Sequence, residues 1–261
     1  MCRLLNVSPS GFYRWQTRKI SSRQQHNQAL VEKITEIHRH SDAVYGSPRV
    51  HEQLLDQGER CRLNRVARLM RECHLQGIPR RRRRRAKPGR PPNLVQDHLQ
   101  RDFSADQPNQ KWVTDITQVQ TQEGWLYLAI VLDLSHRVIV GWSMDASMQQ
   151  GLVIQAVAMA LMQKPTNRLV ILHSDWGSQY TSQAYQDDLQ AHQITLSMGA
   201  VGSCYDNAMA ESFFGLLKRE RTNRRQYRTR REARQDIFDY IERFYNPDKL
   251  RKLKRQMNVL N

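Results

Sequence analysis

Apolar positions recur at two different spacings along this chain, and the change of spacing divides it. Up to Gly77 the spacing is helical. Leu30, Ile34 and Ile37 form one stripe, Val50, Leu54 and Leu55 a second, and Val66, Leu69, Met70 and Cys73 a third. Three amphipathic helices are expected there. Ahead of them, Val7-Ser8-Pro9-Ser10 followed by Gly11-Phe12-Tyr13-Arg14-Trp15 reads as a turn, an N-cap and a short helix with aromatic anchors. Pro48 suits the first turn of the second stripe, and Gly58 can end it. Two short helices joined at a glycine, the second carrying Arg62, Arg65, Arg68 and Arg71, suggest a helix-turn-helix. A small bundle with a solvated arginine face is the plainer reading of the same pattern.

From Lys111 the texture changes. Residues 111–120 alternate and are rich in β-branched side chains, residues 125–134 are a continuous apolar run, and residues 137–144 follow the turn Ser135-His136. These predict an antiparallel meander with a buried central strand. A helix is expected over 149–163, a short buried strand over 169–172, a helix over 182–192, a strand over 194–198, and helices after that. Three strands, helix, strand, helix, strand, then helices is the element order of an RNase H-like α/β fold with a mixed sheet. The expected organisation is an all-helical, helix-turn-helix-like region over 1–77, a linker over 78–104, an α/β core over 105–246 and a basic tail over 247–261.

The linker is set by composition. Arg80, Arg81, Arg82, Arg83, Arg84 and Arg85 stand in one run, followed by Ala-Lys-Pro-Gly-Arg-Pro-Pro-Asn. Like charges and prolines oppose packing, so the segment is read as extended. Residues 1–100 hold 21 Lys and Arg against 8 acids, residues 101–206 hold 5 against 10, and residues 207–261 hold 15 against 7. Basic flanks suit a polyanion. An acidic centre repels phosphates unless cations lie between, a role metal ions can fill. No apolar stretch reaches the ~18 residues of a membrane span, and MCRLLNVSPS lacks a secretory apolar region. Cys2, Cys61, Cys73 and Cys204 lie far apart with no metal-ligand spacing, which fits a reducing cytoplasm.

Three acids stand out. Asp115 sits inside the first strand, in Trp-Val-Thr-Asp-Ile-Thr, where an ionised carboxylate needs a reason. Asp175 follows the short buried strand, where open α/β sheets carry their sites. Glu211 lies in Asn207-Ala-Met-Ala-Glu-Ser-Phe-Phe-Gly-Leu-Leu-Lys218. On a helical wheel, Asn207, Glu211, Gly215 and Lys218 form a narrow polar stripe beside Ala210, Phe213, Phe214, Leu216 and Leu217. Two strand-borne aspartates and a helix-borne glutamate can converge on two Mg²⁺ ions, which prefer oxygen ligands and serve phosphoryl displacement. Asp133 and Asp145 compete for that role, while Asp206 reads as an N-cap. His173 and Gln179 are accessory candidates, His173 because it precedes Asp175 by two on one strand. A solvated glutamate and an ordinary surface lysine remain open for Glu211 and Lys218.

The strings WVTDIT, YLAIVLDLSHRVIVGW, HSDWGSQYTS and DNAMAESFFGLLKRE closely resemble the OrfB transposases of the IS3 insertion-sequence family, which carry a retroviral-integrase-like core. CRLLNVSPSGFYRW and YGSPRV…RVARLMRE resemble that family's upstream helical region. The resemblance implies that Asp115, Asp175 and Glu211 are a catalytic, metal-holding triad, with 35 residues between the last two and Lys218 as the family's basic residue. It implies DNA cleavage and strand transfer with Mg²⁺, for which Mn²⁺ can substitute, on insertion-sequence ends and target DNA. It also implies a homo-oligomer on DNA and, in some members, an upstream-frame protein or fusion. The chain departs from the family pattern after Phe244-Tyr245-Asn246 and at Trp176. A remnant that only binds DNA, through residues such as Arg62, Arg65, Arg68 and the arginine run, and an RNase H-like nuclease are the alternatives.

Overall fold

Helix α1 (Pro9–Gln16) begins where the Gly11 N–H donates to Ser8 Oγ at 3.0 Å and Pro9 takes the first helical position. The computed structural model describes residues 8–17, 21–79, 104–163, 169–175, 180, 183–198 and 208–260. It divides the chain into two units, Met1–Arg83 and Arg84–Asn261. Arg80 to Arg85, Gln179, Asp206 and Asn207, singled out above, lie outside the described residues.

In the first unit, α2 (Ser22–His40) buries Leu30, Ile34 and Ile37, α3 (Ser47–Asp56) buries Val50 and Leu54, and α4 (Leu63–Glu72) buries Val66, Leu69 and Met70. Gly58 takes a φ of +82° between α3 and α4, a conformation that suits glycine. The expected stripes fail at their margins. Leu55 is 47% exposed and Cys73 is an exposed C-cap residue, because each sits one step past the buried face. The aromatics of α1 anchor nothing described: Tyr13 and Trp15 are 63% and 71% exposed, and they and Phe12 stack only on one another. Arg65 donates from Nε and Nη2 to Asn27 Oδ1 at 3.0 and 2.8 Å, tying α4 to α2.

The second unit is built on a five-stranded sheet in the order β3-β2-β1-β4-β5. The strands are β1 (Lys111–Thr121), β2 (Gly124–Asp133), β3 (Val138–Asp145), β4 (Val170–Ser174) and β5 (Ile194–Met198). β1, β2 and β3 form the expected antiparallel meander, and β4 and β5 add in parallel to β1. The fourth strand runs on through His173 and Ser174, beyond the expected end, because β5 pairs with it as far as Met198. Helices α5 (Gln150–Leu161) and α6 (Gln183–Ala191) cover one face with Trp112, Val131, Val153, Val157, Leu172 and Tyr185 in one core. Gly141 allows α5 to approach: a Cβ there would lie 2.1 Å from the Ala156 carbonyl oxygen.

The other face packs on α7 (Ala208–Glu220) and α8 (Arg230–Phe238), with Val113, Val119, Leu128, Phe213, Leu217, Ile237 and Tyr240 in a second core. A π-helical segment (Asp239–Tyr245) joins α8 to α9 (Asn246–Leu260). Asn246 exchanges two hydrogen bonds of 2.9 Å with the backbone of Ile139 and so caps edge strand β3. The basic tail is therefore the continuation of a helix fixed to the sheet. Among the described residues, no helix is long and apolar enough to cross a membrane.

Candidate active site

Residues 113, 115, 117 and 119 of β1 alternate onto one face of the sheet. Val113 and Val119 join the core beneath α7, so Asp115 opens toward α7 as well. Its Oδ1 accepts the Ile116 N–H at 2.8 Å. Val113 lies opposite His173 in the parallel β1–β4 register. The register ends there, and Asp175 follows one residue past the end of β4, near enough for its charge to act on Asp115. α7 buries Ala210, Phe213, Phe214 and Leu217 against the sheet and leaves Glu211, in its first turn, half-buried.

Asp175, Glu211 and Lys218 lie near enough for their charges to act on Asp115. The Asp115 carboxyl is pushed up to about 7, first by burial; its hydrogen bond from Ile116 opposes this, the charges of Asp175 and Glu211 add to it, and Lys218 opposes it. Tyr180, wholly buried, has its hydroxyl pushed well up, mainly by burial and further by the charges of Asp115 and Asp175. Two separate groups therefore sense Asp175 at the end of β4, and Asp115 senses three charged side chains from β4 and α7. Among the described residues, no three His, Cys, Asp or Glu side chains lie close enough to hold a metal ion as they stand. The donor set of Asp115, Asp175 and Glu211, all carboxylate oxygen, is the kind Mg²⁺ takes.

The competing acids are accounted for elsewhere. Asp133 is buried opposite Trp112 and accepts the N–H groups of Asn109 at 2.6 Å and His136 at 3.0 Å. Asp145 is exposed and accepts the N–H groups of Ala146 and Ser147. His173 is buried, and its Nδ1 shares a 3.0 Å hydrogen bond with Ser197 Oγ across β4 and β5. That bond is the strand-end anchoring that its position also allowed. Glu220 is buried with Tyr240 Oη at 2.9 Å and Arg219 Nη2 at 3.2 Å. Asp236 accepts Tyr227 Oη at 2.6 Å and the Arg225 guanidinium. Sequence reasoning missed both, since their partners come from distant segments and leave no local pattern.

Comparison with known proteins shows the family of the chain. Residues 105–204 and 211–257 each match an integrase core domain, and residues 25–83 match an HTH-like domain. Transposase InsF for insertion sequence IS3A of Escherichia coli (strain K12) is 41% identical over 254 residues, covering 94% of this chain and 86% of that protein. The chain belongs to the IS3 family of insertion-sequence transposases. The IS600 uncharacterized 31 kDa protein of Shigella sonnei is 38% identical to this IS3-family transposase over 94% of the chain and 91% of its own length. Among solved structures, the catalytic domain of Mos1 mariner transposase aligns with a TM-score of 0.41 at 11% identity, over 51% of this chain and 70% of that one. The HTLV-2 integrase catalytic core domain in complex with magnesium aligns with a TM-score of 0.35 at 20% identity, over 42% and 68%. As an IS3-family transposase, the chain acts in DNA transposition through an integrase-type catalytic domain, with an HTH-like DNA-binding region ahead of it.

Proposed function

We propose that Asp115, Asp175 and Glu211 are the catalytic carboxylates of this transposase and that together they hold two Mg²⁺ ions, with Mn²⁺ as a working substitute. The observation that carries this reading is the shared electrostatic field at Asp115, which senses Asp175, Glu211 and Lys218 from two other elements. Bound there, the metal ions supply activation of the attacking oxygen and charge neutralisation at the leaving one. The protein supplies the rest. On this reading β1, the segment after β4 and α7 each contribute one carboxylate, on a sheet packed between two apolar cores. Asp115, held up near 7, gives up its proton as the site loads. Lys218, two turns from Glu211 on α7, offers a point charge to a phosphate next to the scissile one.

The same reading assigns DNA contacts to Arg62 at the N-cap of α4, to Arg65, which also bonds Asn27, and Arg68 on that helix, and to Arg80, Arg81, Arg82, Arg83, Arg84 and Arg85. It gives His173, Asn207 and Gln179 accessory polar roles. Two or more copies of the chain act together on DNA in the cytoplasm, alone or with an upstream-frame protein. The test is a strand-transfer assay on oligonucleotides carrying the ends of the element that encodes the chain. Wild-type protein should cleave and join only with Mg²⁺ or Mn²⁺. Asp175→Asn should bind those ends as the wild type does and transfer nothing. Equal loss of binding would make Asp175 structural, and cleavage of any duplex without joining would favour a nuclease.

A further inference from the structure

β4 stays beside β1 only as far as Val113, and Tyr227 joins β1 at Thr121. Between those points one side of β1 is a strand edge, and a groove of about 600 Å³ opens along its far half. Lys218 lines this groove and also acts on the charge of Asp115, so the groove adjoins the carboxylates. Its other lining residues are unlike an apolar pocket. Gln118 and Gln120 of β1 line it together with Asn223 and Gln226 from the segment after α7. Trp125, paired across from Gln120 on β2, is 43% exposed at the groove. No carboxylate is among its described lining residues, and residues 207–261, which supply one wall, carry 15 basic against 7 acidic side chains.

Each feature matches one part of an unpaired nucleotide. Carboxamides carry both donors and acceptors and can meet a base edge. An exposed indole offers a stacking face to any base. Lys218 offers a cation to the phosphate. The volume lies within the range of about 300–1,000 Å³ that encloses one small molecule, far less than a duplex requires. We propose that this groove receives unpaired nucleotides of the strand adjoining the scissile phosphate, with Trp125 stacking on a base and Gln118 and Gln120 reading its edge. The proposal rests on the carboxylate site being the reacting centre. It adds that the DNA is locally unpaired there.

The test is a binding measurement on the full chain without divalent metal, so a failed cleavage assay and a failed groove are separate results. A short labelled duplex with blunt ends is compared with the same duplex carrying a few single-stranded nucleotides at one end. Wild type should prefer the tailed duplex by about ten-fold, near the low end of what base stacking on an aromatic contributes. Trp125→Ala should reduce that preference to near unity with the affinity for blunt duplex unchanged, and Trp125→Phe should keep part of it. Gln118→Ala with Gln120→Ala, both at exposed positions, should weaken the preference without lowering the melting temperature. A wild type with no tail preference would overturn the proposal and leave the β1 edge to an extended peptide. Full preference in both the Trp125→Ala and the double glutamine variant would overturn it equally.

Discussion

Replacing Asp115 by Asn should stabilise the metal-free protein at alkaline pH and leave it unchanged in acid. Asn keeps the acceptor oxygen for the Ile116 N–H and removes only the charge. In the folded protein the Asp115 carboxyl sits at about 7 against an ordinary 3.8, chiefly because it is buried. With the folded value above the unfolded one, the contribution of Asp115 to stability is fully present below about pH 4. It is lost as pH rises through about 7. The difference corresponds to about 4 kcal/mol at full ionisation, from ~1.36 kcal/mol per pKa unit. For a unit of this size that is a melting shift on the order of 10 °C. The assay is thermal or denaturant unfolding of wild type and Asp115→Asn in chelator across pH 5 to 8.5. The gap between the two curves, closed only below about pH 4, should widen from pH 5 to about 7 and level off above it, with the variant more stable. Mg²⁺ should narrow the gap by stabilising only the wild type, and more strongly as pH rises, because metal binding displaces the proton. A stability difference that stays constant with pH would refute the reasoning, since it would show that no perturbed carboxylate sits at 115.

Two substitutions away from the carboxylates test the frame. Gly141→Ala should destabilise the second unit by about 1–3 kcal/mol, because its methyl group has no room against the Ala156 carbonyl and Ala160; urea unfolding reads this, and a neutral result would mean α5 stands off β3. In the first unit, Arg65→Ala should lower stability by about 1–3 kcal/mol through loss of the two bonds to Asn27, whereas Arg62→Ala and Arg68→Ala should weaken DNA binding and reduce its salt dependence without changing the melt.

Where the sequence spoke clearly, a strong local pattern lay over the residues concerned. The continuous apolar run of β2 and the alternation of β1 marked the meander, and the wheel of α7 separated Glu211 from Phe213 and Leu217 before any coordinate. The start of α2 was invisible because Ser22 to Gln28 is polar throughout, yet Ser21 caps it through the Gln24 N–H. The helical stripes overreached at Leu55 and Cys73 because periodicity does not say which turn meets a neighbour. His173 precedes Asp175 by two residues, which makes it an accessory candidate. Only the parallel partner β5, which brings Ser197 to it, explains its burial. Asp133 could be set aside only once the loops that donate to it had been placed. In each case the deciding contact came from another part of the chain.

The position of Asp115 also explains why such a site can persist in a small sheet. On the face of β1 beneath α7, Val113, Thr117, Val119 and Thr121 are all buried. An apolar residue at 115 would complete that row, and the acid interrupts it. The cost, about 4 kcal/mol when ionised without a cation, is comparable with the burial of two large apolar side chains at about 1.5–3 kcal/mol each. Phe213 and Leu217 lie two and six residues along the same helix that carries Glu211, and both are almost fully buried. The contacts that bring the repelling glutamate to the aspartates are thus of the size needed to hold it there. This predicts an order of sensitivity. Trimming Leu217 should damage the position of Glu211 before it unfolds the sheet, because β1, β2 and β3 remain paired without α7. Activity should therefore fall at temperatures where the far-ultraviolet signal of the sheet is intact, and simultaneous loss of both would contradict the argument.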